Sequence, residues 1–255
     1  MERSEKLLNR EQSVLVVVDL QDTLLKTIKV GRQIAENIRM LIQTAQSLGI
    51  PILFTTQNAE KLGGLIPELS AHLESAIVID KLSFSCVGSE EFVKQMQSTG
   101  RTRVVLTGIE AHICIMQTAL DLVKAGYSVH VPYDAVASRQ KRDWKYALLR
   151  FAHSGVVVTS LESVIYEWLQ EAGTDQFRAV LPALKEREQQ RLRAEEEDED
   201  EEESQEEEEA SEVESNSEEE EPTETENNDA EDEEEEAEHE EDKNTETAPT
   251  SETDS

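Results

Sequence analysis

Short apolar runs alternate with amphipathic stretches along most of this chain. Val14 to Val18 is a β-branched run ending at Asp19, the pattern of a strand covered on both faces of a parallel sheet. From Gly31 to Leu48 the apolar residues Ile34, Ile38, Leu41, Ile42 and Ala45 recur at three- and four-residue spacing, and Gly49-Ile50-Pro51 closes that helix. Ile52 to Phe54 predicts the second strand, Gln57 to Pro67 a loop, and Ile77 to Ile79 a third strand running into Asp80 and Lys81. A helix from Ser89 to Gln97, a strand at Val104 to Leu106 and a helix from Ile113 to Lys124 follow, the last closed by Gly126. Strands at Tyr127–Val131 and Val156–Val158 then alternate with helices at Lys141–His153 and Leu161–Leu169.

Six strands alternating with helices predict an α/β fold, a six-stranded parallel sheet wrapped by helices into a three-layer α/β/α sandwich. Ligands of such sheets bind beyond the C-terminal ends of the strands, where strand order reverses. Asp19, Lys81 and the segment Gly108 to Cys114 all stand at such ends.

Charge divides the chain. From Glu195 to Ser255 there are 35 acidic residues and one basic residue, Lys243, whereas Met1 to Ala194 holds 22 acidic and 23 basic residues. The net charge of −33 therefore belongs to the end segment alone. Residues 1–11 read as an N-terminal extension, 12–185 as one domain, 186–203 as a linker with helix-forming composition, and 204–255 as a disordered Glu-rich tail. A domain of about 185 residues buries roughly 70% of the surface its unfolded chain exposes, enough for one core without disulfides.

Two cysteines, Cys86 and Cys114, point to a reducing compartment, and neither a signal-peptide core nor an apolar run of membrane-spanning length occurs. The expectation is a cytoplasmic protein that does not engage membranes. The acidic tail would repel nucleic acid and attract a basic protein partner, or serve only to keep the chain soluble. The five histidines lack metal-ligand spacing, and phosphate-cradling glycine motifs and G-x-S-x-G are absent, so neither a metal nor a cofactor is expected.

A carboxylate, an ammonium and a thiol at three strand ends form a nucleophilic constellation, because a thiol reacts only when its thiolate is stabilised or its proton removed. Lys81 would favour the thiolate, Asp19 would accept and return the proton, and the helix start at Cys114 would add its positive dipole end and unpaired N–H groups for an oxyanion. Each residue also admits a plain reading: Cys114 as a small buried side chain, Asp19 as a loop cap, Lys81 as a solvated charge. Cys86 reads as a packing residue.

The segments VLVVVDLQ (14–21), TTQ with KLG and PEL (55–69), KLSFSC (81–86) and GIEAHICIMQTALDLVKAGYSVHVPYDAVASR (108–139) resemble the isochorismatase-like cysteine hydrolases, in the branch of isochorismatase domain-containing proteins. The resemblance runs from about Gln12 to Leu184 and implies the strand order 3-2-1-4-5-6. It also implies a catalytic triad of Asp19, Lys81 and Cys114, a cis peptide between Ile109 and Glu110, and an oxyanion hole made by the N–H groups of Glu110 and Cys114. Gln21, Gln57, Phe84 and His112, which lie in or beside these motifs, are candidate substrate contacts.

The chain departs from the family's nicotinamidases, which carry a metal-binding Asp-x-His after strand two where this sequence has Thr55-Thr56-Gln57. Enzymes that cleave isochorismate generally lack the cysteine that Cys114 supplies. The reading is thus a hydrolase of a small amide, imide or ester working through a Cys114 acyl-enzyme, in a homo-oligomer as the family implies. The second reading is a binding or scaffold protein that keeps the fold and is recruited through its tail.

Overall fold

The computed structural model describes residues 3–73 and 76–189. The Glu-rich segment 204–255 and most of the linker 186–203 lie outside the described residues.

At the centre of the sheet is β1 (Ser13–Val18), all six of whose residues are buried. It pairs in parallel with β2 (Ile52–Gln57) on one side and β4 (Arg103–Ile109) on the other. Beyond β2 lies β3 (Ile77–Lys81), and beyond β4 lie β5 (Ser128–Pro132) and β7 (Val157–Thr159), in the order β3-β2-β1-β4-β5-β7. All of these pairings are parallel.

Side chains alternate across a strand, so β1 feeds two cores at once. Leu15 and Val17 join the cluster formed with α2 (Gly31–Ser47) and α7 (Leu161–Leu169), where Trp168 is fully buried and its indole N–H donates to Ser13 Oγ at 3.0 Å. Val14, Val16 and Val18 join the opposite cluster, with Phe92 of α4 (Glu90–Ser98), Met116 and Ala119 of α5 (Met116–Lys124) and Phe151 of α6 (Lys141–His153). Helices on both faces of a parallel sheet make this a three-layer α/β sandwich.

The strand count is corrected from six to seven. A two-residue strand, β6 (Val136–Ala137), pairs with the end of β4 at Gly108 and Ile109. Two residues bounded by Ala135 and Ser138 carry no periodicity, and only the neighbouring strand end makes them a strand. The loop after β2 likewise holds a short helix, α3 (Ala59–Leu62), and another, α1 (Asp22–Leu25), follows β1. Residues 175–189 form a further helix, which buries Val180 and Leu184 against the α2/α7 core. The helix expected from Ile113 begins instead as a π-turn, Ala111–Ile115, leading into α5.

One glycine is required by its surroundings. Gly108 has φ +114, and a Cβ there would collide with the Val18 carbonyl oxygen of β1. That close approach lets β1 and β4 stay paired as far as Val18 and Gly108, the residue before Asp19 and the second before Glu110.

Candidate active site

Asp19 follows β1 with φ +53, a left-handed conformation that Asp tolerates better than most residues. Its backbone N–H donates to Thr55 O at 3.1 Å, and its carboxylate is fully buried. Lys81, at the end of β3, lies two strands away, with β2 between. Its side chain spans that gap: Nζ donates to Asp19 Oδ2 at 2.7 Å and to Gln57 Oε1 at 2.7 Å. Gln57 is register partner to Lys81, so the neighbouring strand supplies the second acceptor. The other Asp19 oxygen, Oδ1, accepts from Thr55 Oγ1 at 2.7 Å.

A buried charge is tolerated only when paired and hydrogen-bonded. Asp19 and Lys81 meet that condition with Thr55 and Gln57, and Gln57 is itself fixed by its Nε2 donating to Leu82 O at 2.8 Å. The sheet order, which places β2 between β3 and β1, is what assembles the four.

Cys114 sits within the π-turn and is 7% exposed. Burial pushes its thiol pKa well above the ordinary range. The charge of Asp19 acts in the same direction, and Lys81 opposes it. The side chain therefore rests as a thiol. Lys81 favours the thiolate, as its place in sequence suggested, but burial outweighs it. Cys86 is fully buried; its thiol is raised to about 11, first by burial. Its N–H donates to Thr118 Oγ1 at 2.9 Å and its Sγ lies 3.9 Å from Thr55 Oγ1, which fits a packing role.

The Ile109–Glu110 peptide is cis. Glu110, at the entrance to the π-turn, accepts through its carbonyl from Ile113 N–H at 3.0 Å and Ile115 N–H at 3.3 Å. Cys114 lies within this same turn, four residues after Glu110.

The structure sorts the four candidate substrate contacts. Gln57 joins the Asp19–Lys81 cluster as an acceptor. Gln21 is fully buried and braces the loop after β2: its Nε2 donates to Gly63 O at 2.6 Å and Gln57 O at 3.2 Å, and its Oε1 accepts from Gln57 N–H at 2.7 Å. His112 is partly exposed, with Nδ1 2.9 Å from Ser138 Oγ and Nε2 3.7 Å from Asp143 Oδ2. Phe84 is 54% exposed and belongs to neither core. Two residues without an assigned role in the sequence reading stand out, Thr55 and Arg139. Both lie within the motifs quoted above, but their partners are distant along the chain.

The C-terminal end of β2 does not suit a metal. Thr55 and Gln57 are neither carboxylate nor imidazole, and their side chains are committed to Asp19 and Lys81; Thr56 Oγ1 donates to Asp80 Oδ1 at 2.8 Å.

Residues 13–163 match the family model described as the isochorismatase domain. The chain belongs to the isochorismatase family. Isochorismatase domain-containing protein 2 of Xenopus laevis is 36% identical over 180 residues, covering 70% of this chain and 86% of the relative. The secreted isochorismatase effector Isc1 of Phytophthora sojae is also 36% identical over 180 residues, covering 68% and 85%. Among solved structures, the MAR1 ribonuclease from Caenorhabditis elegans superposes with a TM-score of 0.65 at 33% identity, over 69% of this chain and 91% of that one. The isochorismatase match starts with β1 and ends within α7, so it takes in the whole Asp19–Lys81–Cys114 cluster.

Proposed function

We propose that this isochorismatase-family chain is a cysteine-dependent hydrolase of a small amide, imide or ester. The observation that carries this reading is the fully buried Asp19 carboxylate, held by Lys81 and Thr55, whose charge acts directly on the buried Cys114 thiol. Asp19 removes the thiol proton as sulfur attacks the carbonyl carbon. The carbonyl oxygen becomes an oxyanion facing the N–H groups of Glu110 and Cys114. Asp19 then returns the proton to the leaving amine or alcohol, and the C–N or C–O bond breaks to leave a thioester. Water, deprotonated by Asp19, releases the acid and restores the thiol. Lys81 holds the Asp19 carboxylate in place throughout.

A screen of small amides, imides and esters against wild type and Cys114→Ala tests this. The expected result is turnover lost in Cys114→Ala, with an acyl mass adduct on Cys114 in wild type; full turnover by the variant refutes the reading. The scaffold reading predicts instead a Cys114 inert toward a small electrophile near neutral pH, with Lys81→Ala no different. We further propose a homo-oligomer, which sedimentation would show, and a cytoplasmic location. For the tail we favour a solubilising role; identical pulldown partners with and without residues 195–255 would exclude a docking role.

A further inference from the structure

Glu110 is held at two points. Its carbonyl is taken by the N–H groups of Ile113 and Ile115, as described, and its carboxylate by Arg139. The Arg139 backbone N–H donates to Oε2 at 2.9 Å, and its Nε lies 3.1 Å from Oε2 and 3.0 Å from Oε1. Glu110 is only 9% exposed. Arg139 comes two residues after β6, which is tied to Gly108 and Ile109, so both ends of this anchor hang from the same strand pair. Ile109 is paired with Ala137, so with carbonyl and carboxylate also held, the chain on both sides of the Glu110 N–H is restrained.

The same carboxylate poses a problem for the chemistry. It belongs to the residue whose N–H is to face an oxyanion, and a bare negative charge so near would oppose the charge developing there. The Arg139 guanidinium cancels it.

We propose that Arg139 is a positioning residue for the oxyanion hole, holding the Glu110 N–H in aim and neutralising the Glu110 carboxylate. This rests on Cys114 being the nucleophile. An ordinary half-exposed ion pair contributes little to stability and nothing to chemistry, so the two roles separate experimentally.

The test compares two reactions of one thiol in the full chain. With p-nitrophenyl acetate the S–C bond forms through a tetrahedral oxyanion, the ester C–O bond breaks, nitrophenolate leaves and the thiol proton passes to Asp19. With iodoacetamide the S–C bond forms as the C–I bond breaks, iodide leaves and the proton again passes to Asp19, with no oxyanion. Modification of Cys114 is followed by mass spectrometry, with Cys114→Ala as background. Removing an oxyanion donor costs about 10²–10³-fold in rate; a donor kept but mis-aimed should lose about tenfold. Arg139→Gln is therefore expected to slow acylation about tenfold while alkylation changes less than about twofold. Arg139→Lys, which keeps the charge, should be intermediate, and Glu110→Gln added to Arg139→Gln should restore much of the loss. Acylation and alkylation falling together in Arg139→Gln, or neither falling, overturns the positioning role alone. A wild-type Cys114 inert to both reagents overturns the nucleophile reading and this role with it.

Discussion

Lys81 and Asp19 form an ion pair across an intervening strand, with Nζ 2.7 Å from Oδ2 and side chains 1% and 0% exposed. Taking two charges out of water costs several kcal/mol each, and their attraction offsets this only when the remaining donors and acceptors are also satisfied. Thr55 and Gln57 complete the set. The arrangement serves chemistry more readily than stability, because an apolar pair would fill the same space without the desolvation cost.

Breaking that pair from one side should therefore be severe. Lys81→Met leaves a buried unpaired carboxylate and is expected to lower unfolding free energy by about 3–5 kcal/mol in urea titrations. Asp19→Asn combined with Lys81→Met should recover more than half of the loss while abolishing Cys114 acylation. A single variant as stable as wild type would mean that the pair is not closed to water as described.

Gly108→Ala tests the close approach of β4 to β1. The added Cβ meets backbone, which cannot swing aside, and φ +114 is itself disfavoured for alanine. A loss of more than about 2 kcal/mol is expected, read as a lower melting temperature. An unchanged melting temperature would contradict the packing of these two strand ends.

His130, on β5, is buried with Nε2 3.2 Å from Ser128 Oγ, and burial, aided by Arg103, lowers its pKa to about 4. Its folded pKa lies below the unfolded value of about 6.5, so the unfolded chain binds the extra proton first. Stability from this group is complete above pH 6.5 and is lost as pH falls towards 4, by on the order of 3 kcal/mol. Urea midpoints for wild type and His130→Gln should converge over that window; parallel pH profiles would exclude the effect.

Arg187 ties the helix over 175–189 to the domain. Its Nη2 lies 2.7 Å from Asp134 Oδ2 and its Nε 3.1 Å from Asn37 Oδ1, with Asp134 also accepting from Leu161 N–H at 2.7 Å. Arg187→Ala should cost about 1–3 kcal/mol and speed amide exchange in that helix first. Exchange rising equally in β1 would argue against a local clamp.

Much of this protein was legible along the chain. The β-branched run before Asp19 and the three- and four-residue spacing within Gly31–Leu48 depend on local periodicity, and these elements formed where that periodicity placed them. Asp19, Lys81 and Cys114 were singled out because each follows a strand, a position fixed by local pattern and by the general geometry of parallel sheets. Residues committed to partners far along the chain were not legible. Thr55 meets Asp19 at a separation of 36 residues, and Arg139 meets Glu110 at 29. Gln21, a plausible substrate contact in sequence, is a brace because the loop at Gly63 folds back onto it. The protonation of Cys114 was equally out of reach: composition places a lysine and a helix start nearby, but how deeply the thiol is buried is a property of the packed core. Sequence by itself determined the order and kind of elements, and with them the strand ends where chemistry stands; tertiary structure alone decided which side chains share a proton, because burial and hydrogen bonding act through space.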